Sequence, residues 1–210
     1  MAGGIGSVLG LAAQSALSLV GVRAYEQPPF RVVGRAGPVE VREYGSRLAA
    51  ETVLDPGTRE QAFGLLAGYI FGKNRAPGGG GAGGAKIAMT TPVEMRSERI
   101  AMAAPVQAAG TGGRVAMRFF LPRSLTRATA PVPTDPRVRV VGAPGETLAV
   151  LRFSSSTDDA RIADRTAALL RELRGSAWEP AGEPVFFGYD PPFTPPFLRR
   201  NEVAVPVRRR

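Results

Sequence analysis

Between Pro77 and Lys86 the chain carries a glycine-rich run, and Lys86 is soon followed by Thr90 and Thr91 (APGGGGAGGAKIAMTTPVEM, Ala76 to Met95). Glycine, lysine and a hydroxyl are the materials of a phosphate loop, in which backbone N–H groups surround the phosphates and the hydroxyl binds magnesium. The spacing does not deliver that chemistry. Lys86 is preceded by Ala85 and followed by Ile87, while Lys73 follows Gly72 correctly but is followed by Asn74, with Ala67 where the first glycine belongs. A G-x-G-x-x-G pattern occurs from Gly78 and again from Gly79. In so rich a run it is almost unavoidable, and it lacks the strand before and the helix after that make it a dinucleotide site. The run therefore reads as a slack solvent loop. The chain also has no histidine and no cysteine. Thiolate nucleophiles, disulfides, iron–sulfur and zinc–sulfur sites are excluded, as are an imidazole base or ligand and a serine–histidine triad. Acid–base work is left to Asp, Glu, Tyr and Lys.

The elements that must position these residues follow from periodicity. YEQPPFRVV (Tyr25 to Val33) is extended because its paired prolines forbid helix. PVEVREYG alternates Val39, Val41 and Tyr44 as a strand ending at Gly45, RLAAETV (Arg47 to Val53) is its return, and DPG makes a turn. From Thr58, a candidate N-cap, the period changes: Phe63, Leu66, Ala67 and Ile70 share a helical face, and Gly72 stops it. KIAMTTPVEM and RVAMRFFLP are extended, with a hairpin arm between them. The proline-rich TRATAPVPTDPR is a crossover between halves. RVRVVGAPGETLAVLRF (Arg137 to Phe153) then gives strand, turn, strand. A second helix follows, capped by Asp158 and stopped at Gly175, with Ile162, Thr166, Leu169, Leu170 and Leu173 on one face. PVFFGYDPPFT and RRNEVAVPV add two extended segments. Leu48 and Leu148 occupy equivalent places, so the order of elements repeats at roughly one hundred residues as two ββαββ-like units. Two half-sheets with one helix each make a single α+β domain or distorted barrel.

The net charge of +9 comes almost wholly from arginine spread along the chain, with Lys73 and Lys86 the only lysines. No helix interleaves a basic stripe with aromatics, so nucleic acid is not an expected partner. Residues 1–22 bear no charged side chain. A membrane anchor is the first reading of this leader, an export signal the second and an amphipathic docking helix the third. Arg23, Arg31 and Arg35 would keep the body cytoplasmic. The expected localisation is accordingly membrane-anchored, then exported or periplasmic, then cytoplasmic. The expected organisation is a leader over 1–24, one domain over 25–207 and a basic tail over 208–210.

Several segments, in order, resemble the SOUL/haem-binding protein family: YEQPPFRVV, VEVREYG, the helix ending YIFGKN, KIAMTTPVEM, MRFFLP, PVPTDPRV, LAVLRFSS and GYDPPFTPPFLRRNEV. The combination of GKN…KIAMTTPV with YDPP…RRNEV is the specific part, and the resemblance runs from about Tyr25 to Val207. It implies an α+β fold, a pseudo-two-fold distorted β-barrel of two ββαββ-like halves flanked by two helices. It also implies non-catalytic binding of haem or another tetrapyrrole, and similarity in fold to small-molecule sensor domains of transcription regulators. Some members ligate haem iron through histidine, which this chain lacks. Others hold the tetrapyrrole in an apolar groove beside the first helix, with basic residues near the propionates. At the matched positions this chain has Leu65, Gly68 and Thr194.

For a tetrapyrrole held without histidine, the expected contacts on the first helix are Phe63, Leu66 and Ile70. Met89 offers a thioether and Tyr69 a phenolate for iron. Lys73, Arg75, Arg199 and Arg200 are the cations for propionates. The same residues also fit core packing (Phe63, Leu66, Ile70, Met89) and surface charge (Arg199, Arg200). Two alternatives stand beside this reading. Glu202, in a groove-lining strand where burial raises a carboxyl pKa, would serve a small-molecule sensor or hydrolase of the same fold. The segment GYDPPFTPPF, with Phe193 and Phe197 exposed, would serve a membrane-attached interaction scaffold.

Overall fold

The computed structural model of the chain describes residues 25–77, 84–97, 113–190 and 194–210. In chain order the strands are β1 (Phe30–Ala36), β2 (Val39–Tyr44) and β3 (Arg47–Gly57), then helix α1 (Arg59–Ile70). Strands β4 (Asn74–Arg75), β5 (Val93–Ser97), β6 (Gly113–Phe120), β7 (Val132–Pro133), β8 (Val138–Ala143) and β9 (Glu146–Phe153) follow. Helix α2 (Asp159–Leu173) precedes β10 (Trp178–Pro180), β11 (Val185–Gly188) and β12 (Asn201–Arg209). The expected DPG turn lies instead within β3, which crosses a register irregularity between Leu54 and Gly57 and stays paired with β6. Arg208 and Arg209 continue the last strand, and Arg208 pairs with Glu179 at 2.7 Å.

The main sheet runs β1-β2-β9-β12-β11-β5-β6-β3-β8, with β10 beside β12, and β4 pairs with β7 separately. The order is a palindrome about the β11–β5 seam: β2-β9-β12-β11 is mirrored by β8-β3-β6-β5. The mirrored strands are those that the repeat in the sequence equates, so each half contributes one flank of a shared sheet. Both halves place their helix on the same face. Ala62, Leu66, Tyr69 and Ile70 of α1 pack on Ala50, Met117, Phe119 and Val138. Ile162, Leu169 and Leu173 of α2 pack on Val39, Val41, Ala149, Leu151, Val203 and Val205.

The opposite face holds a third core of Tyr44, Ala49, Phe120, Ala143, Leu148, Val150, Phe187 and Ala204. Its membership reveals strong curvature. Six strand steps separate β2 from β3, roughly 29 Å on a flat sheet, yet the Arg47 guanidinium lies 4.5 Å from the Tyr44 ring centroid and 2.7 Å from Glu146 on β9. The sheet therefore curls until its flanks touch through side chains. Among the described residues no strand pairing joins β1 or β2 to β3 or β8, so the expected barrel is corrected to a curled, open α+β sheet. Closure through side chains needs no hydrogen-bonded seam.

The membrane-anchored localisation is corrected as well. Among the described residues no helix is long and apolar enough to cross a membrane. Residues 1–24, on which that expectation rested, lie outside the described residues, as do the glycines at 78–83, most of the 96–113 hairpin arm and Phe193.

Candidate functional site

The two helices start side by side across the β11–β5 seam. Thr58 caps α1 with a reciprocal box: the Gln61 N–H donates to the Thr58 hydroxyl (3.2 Å) and the Thr58 N–H to the Gln61 side chain (3.0 Å). Asp158 caps α2 by accepting from the Arg161 N–H at 2.8 Å. The Ser156 hydroxyl and that N–H hold the Asp158 carboxyl below its usual range. Arg59 spans the gap, pairing with Asp159 and donating to the Thr157 carbonyl at 3.2 Å.

Beneath that bridge lies an open groove of about 470 Å³. Its floor is Val93 and Met95 from β5, Met117 from β6, and Phe186 and Gly188 from β11. The register explains the apolar floor. Phe186, Met95 and Met117 stand opposite one another on adjacent strands, so all three side chains point to the helix face. Phe63 forms one wall. It is 40 % exposed, with its ring edge-on to Phe119 at 5.3 Å. Arg59, Glu60, Asp158, Asp190 and Arg199 form the rim. Asp190 accepts from the Arg200 N–H at 2.6 Å, and the Arg199 Nε donates to the Thr194 carbonyl at 2.7 Å.

Of the residues expected from sequence, the groove brings together Phe63 and Arg199. Leu66, Tyr69 and Ile70 are buried behind it in the α1 core. Burial pushes the Tyr69 phenol up to about 12, and its hydroxyl donates to the Pro131 carbonyl at 2.8 Å. Met89 is half-buried against the same core. Lys73 and Arg75 lie beyond the far end of α1. Arg200 is turned to the other side of the sheet, where it holds Glu202 at 2.8 Å and stacks on Tyr189 at 3.9 Å. Leu65 and Lys73 border a small separate cavity of about 30 Å³.

Glu202 is fully buried and bonded at both oxygens: one takes Arg200, the other Arg42 at 3.0 Å and the Tyr189 hydroxyl at 2.7 Å. Burial first, and the Glu202 charge second, push the Tyr189 phenol well up. Arg42 is raised too: burial opposes its charge, but the Glu202 carboxylate with Tyr44 and Glu40 more than offsets that. Glu202 belongs to a row that sequence reading missed: Arg139, Glu51, Arg118, Glu94, Phe187, Glu202 and Arg152 stand opposite one another on successive strands. Arg118 links Glu51 at 2.6 Å to Glu94 at 3.3 Å. Strand alternation sets each residue on the face opposite to its neighbours in sequence, but register alone puts the charges in one line.

Asn74 is a structural support that sequence reading also missed. Its side chain donates to the Tyr69 and Ala85 carbonyls at 2.6 and 2.8 Å and accepts from the Ala85 N–H at 2.9 Å. It thereby pins the point where the chain resumes after the glycines. Among the described residues no group of three or more His, Cys, Asp or Glu could hold a metal ion.

Solved structures with this fold include the EcmrR C-terminal domain, 10% identical, covering 82% of this chain and 98% of that one, with a TM-score of 0.56. Another is a hydrolase from Listeria innocua, 12% identical, covering 81% and 91%, with a TM-score of 0.54. At such identities the likeness is one of fold. No curated protein matches the chain. The sequence model described as SOUL heme-binding protein matches residues 25–206, nearly all of the part described in the structure. That family is one of non-catalytic haem carriers. The chain therefore belongs to the SOUL heme-binding protein family, and is by that membership a binding protein rather than an enzyme.

Proposed function

We propose that the protein holds haem, or another flat apolar tetrapyrrole, in the groove between the starts of α1 and α2, without histidine ligation and without chemistry of its own. The observation that carries the reading is the groove itself. At about 470 Å³ it falls within the range of small-molecule sites, and its floor of Val93, Met95, Met117 and Phe186 offers apolar contact to a planar ring. The residues suit the group in three respects. Phe63 and Phe186 present aromatic surface, the two methionines present soft, adaptable thioethers, and Arg59 and Arg199 on the rim can pair with ring carboxylates. When bound, haem would supply the iron. The chain would supply the apolar bed, two rim arginines set among three rim carboxylates, and the exclusion of water from one ring face.

In this reading Phe63 and Arg199 touch the ligand, whereas Leu66, Tyr69 and Ile70 set the position of the helix that carries Phe63. Lys73, Arg75, Met89 and Arg200 serve elsewhere. The test is a hemin titration of two charge-introducing variants. Phe63→Glu places a carboxylate on the groove wall and is expected to weaken binding about tenfold or more, a loss of ~1.4 kcal/mol. Lys73→Glu, outside the groove, is expected to bind as the wild type does. Equal affinities in Phe63→Glu and wild type would remove the groove as the site.

A further inference from the structure

An iron porphyrin in this groove would meet a chain without histidine or cysteine, and the donors within reach can be compared directly. Tyr69 is withdrawn by its burial and its hydrogen bond to Pro131. Met89 packs with the α1 core. On the rim, Asp158 and Asp190 already accept backbone N–H groups, and Glu60, held below its usual range by its own N–H and the Thr58 hydroxyl, offers only a hard oxygen. The floor is different, because Met95 and Met117 are direct partners across β5 and β6 and both line the groove. Met117 is 2 % exposed and packed among Ala50, Phe119 and Leu66, whereas Met95 is only half-buried. Thioether sulfur matches the softer, ferrous state of the iron better than a rim carboxylate does.

We infer that Met95 is the residue whose sulfur takes an axial position on a tetrapyrrole iron bound in the groove, with Met117 as its buried backing. The inference rests on the groove reading and goes beyond it by assigning the iron donor. The experiment compares wild type, Met95→Leu and Met117→Leu with two probes, metal-free protoporphyrin and hemin reduced in place. Leucine keeps the floor apolar and of similar volume, so metal-free porphyrin is expected to bind all three proteins within about twofold. One protein donor leaves the reduced iron five-coordinate and high-spin, so carbon monoxide is added as the second axial group: wild type and Met117→Leu are expected to share one carbonyl absorbance and magnetic circular dichroism spectrum, and Met95→Leu to give a shifted one. A Met95→Leu carbonyl complex with the wild-type spectrum, or a shift in Met117→Leu instead of Met95→Leu, overturns the assignment while leaving the groove standing. Failure of metal-free porphyrin to bind wild type overturns the groove reading instead.

Discussion

Glu202 and Tyr69 carry chemistry that sequence alone can name but not place. In the fold Glu202 sits out of water between Arg42, Arg200 and the Tyr189 hydroxyl, so its charge is committed to holding β12 against β2. Glu202→Gln would leave Arg42, itself 5 % exposed, without its main counter-charge. Breaking a buried pair in this way costs about 3–5 kcal/mol, and denaturant unfolding should show it. A variant as stable as wild type would mean that the charges are not coupled. Tyr69 gives a pH signature. Its phenol is raised from 10.0 to about 12 by burial, so the native state favours the protonated form. The stability it contributes is complete below pH 10 and is lost as pH rises toward 12. Thermal melts across that interval should fall more steeply for wild type than for Tyr69→Phe, and parallel curves would contradict the account.

At the scale of the element, the start of α1 is the part on which the site depends, because Arg59, Glu60 and Phe63 all ride on its first turns. Thr58→Ala removes one half of the capping box and should cost about 1 kcal/mol, measured by unfolding, with a parallel weakening of porphyrin binding as the wall loosens. Unchanged binding would show that the wall does not need the cap. Both caps were legible in the sequence, since capping is a relation between residues three apart. The helix faces were legible too, but not their coverage. Phe63, Leu66 and Ile70 share a period, yet Leu66 and Ile70 are buried while Phe63 stays 40 % exposed as the groove wall. The DPG segment misled for the opposite reason. Its turn chemistry is local, while the pairing of β3 with β6 that carries the strand through it is not.

The whole molecule is a duplicated plan folded about the β11–β5 seam, and the groove lies on that seam. The repeat and the α+β class could be read from the order of elements. The curl of the sheet could not, because Tyr44 and Arg47 adjoin in sequence and only the strand order shows that β2 and β3 lie six steps apart along the sheet. The groove was illegible for the same reason: Met95, Met117 and Phe186 are far apart in sequence and meet only through strand order. The central claim is that this seam binds a tetrapyrrole. The most direct measurement is an absorbance titration of the purified protein with hemin. The account predicts a Soret shift that saturates at one ring per chain and needs about tenfold more hemin or beyond in Phe63→Glu. A change that rises without saturating, or none at all, would contradict it.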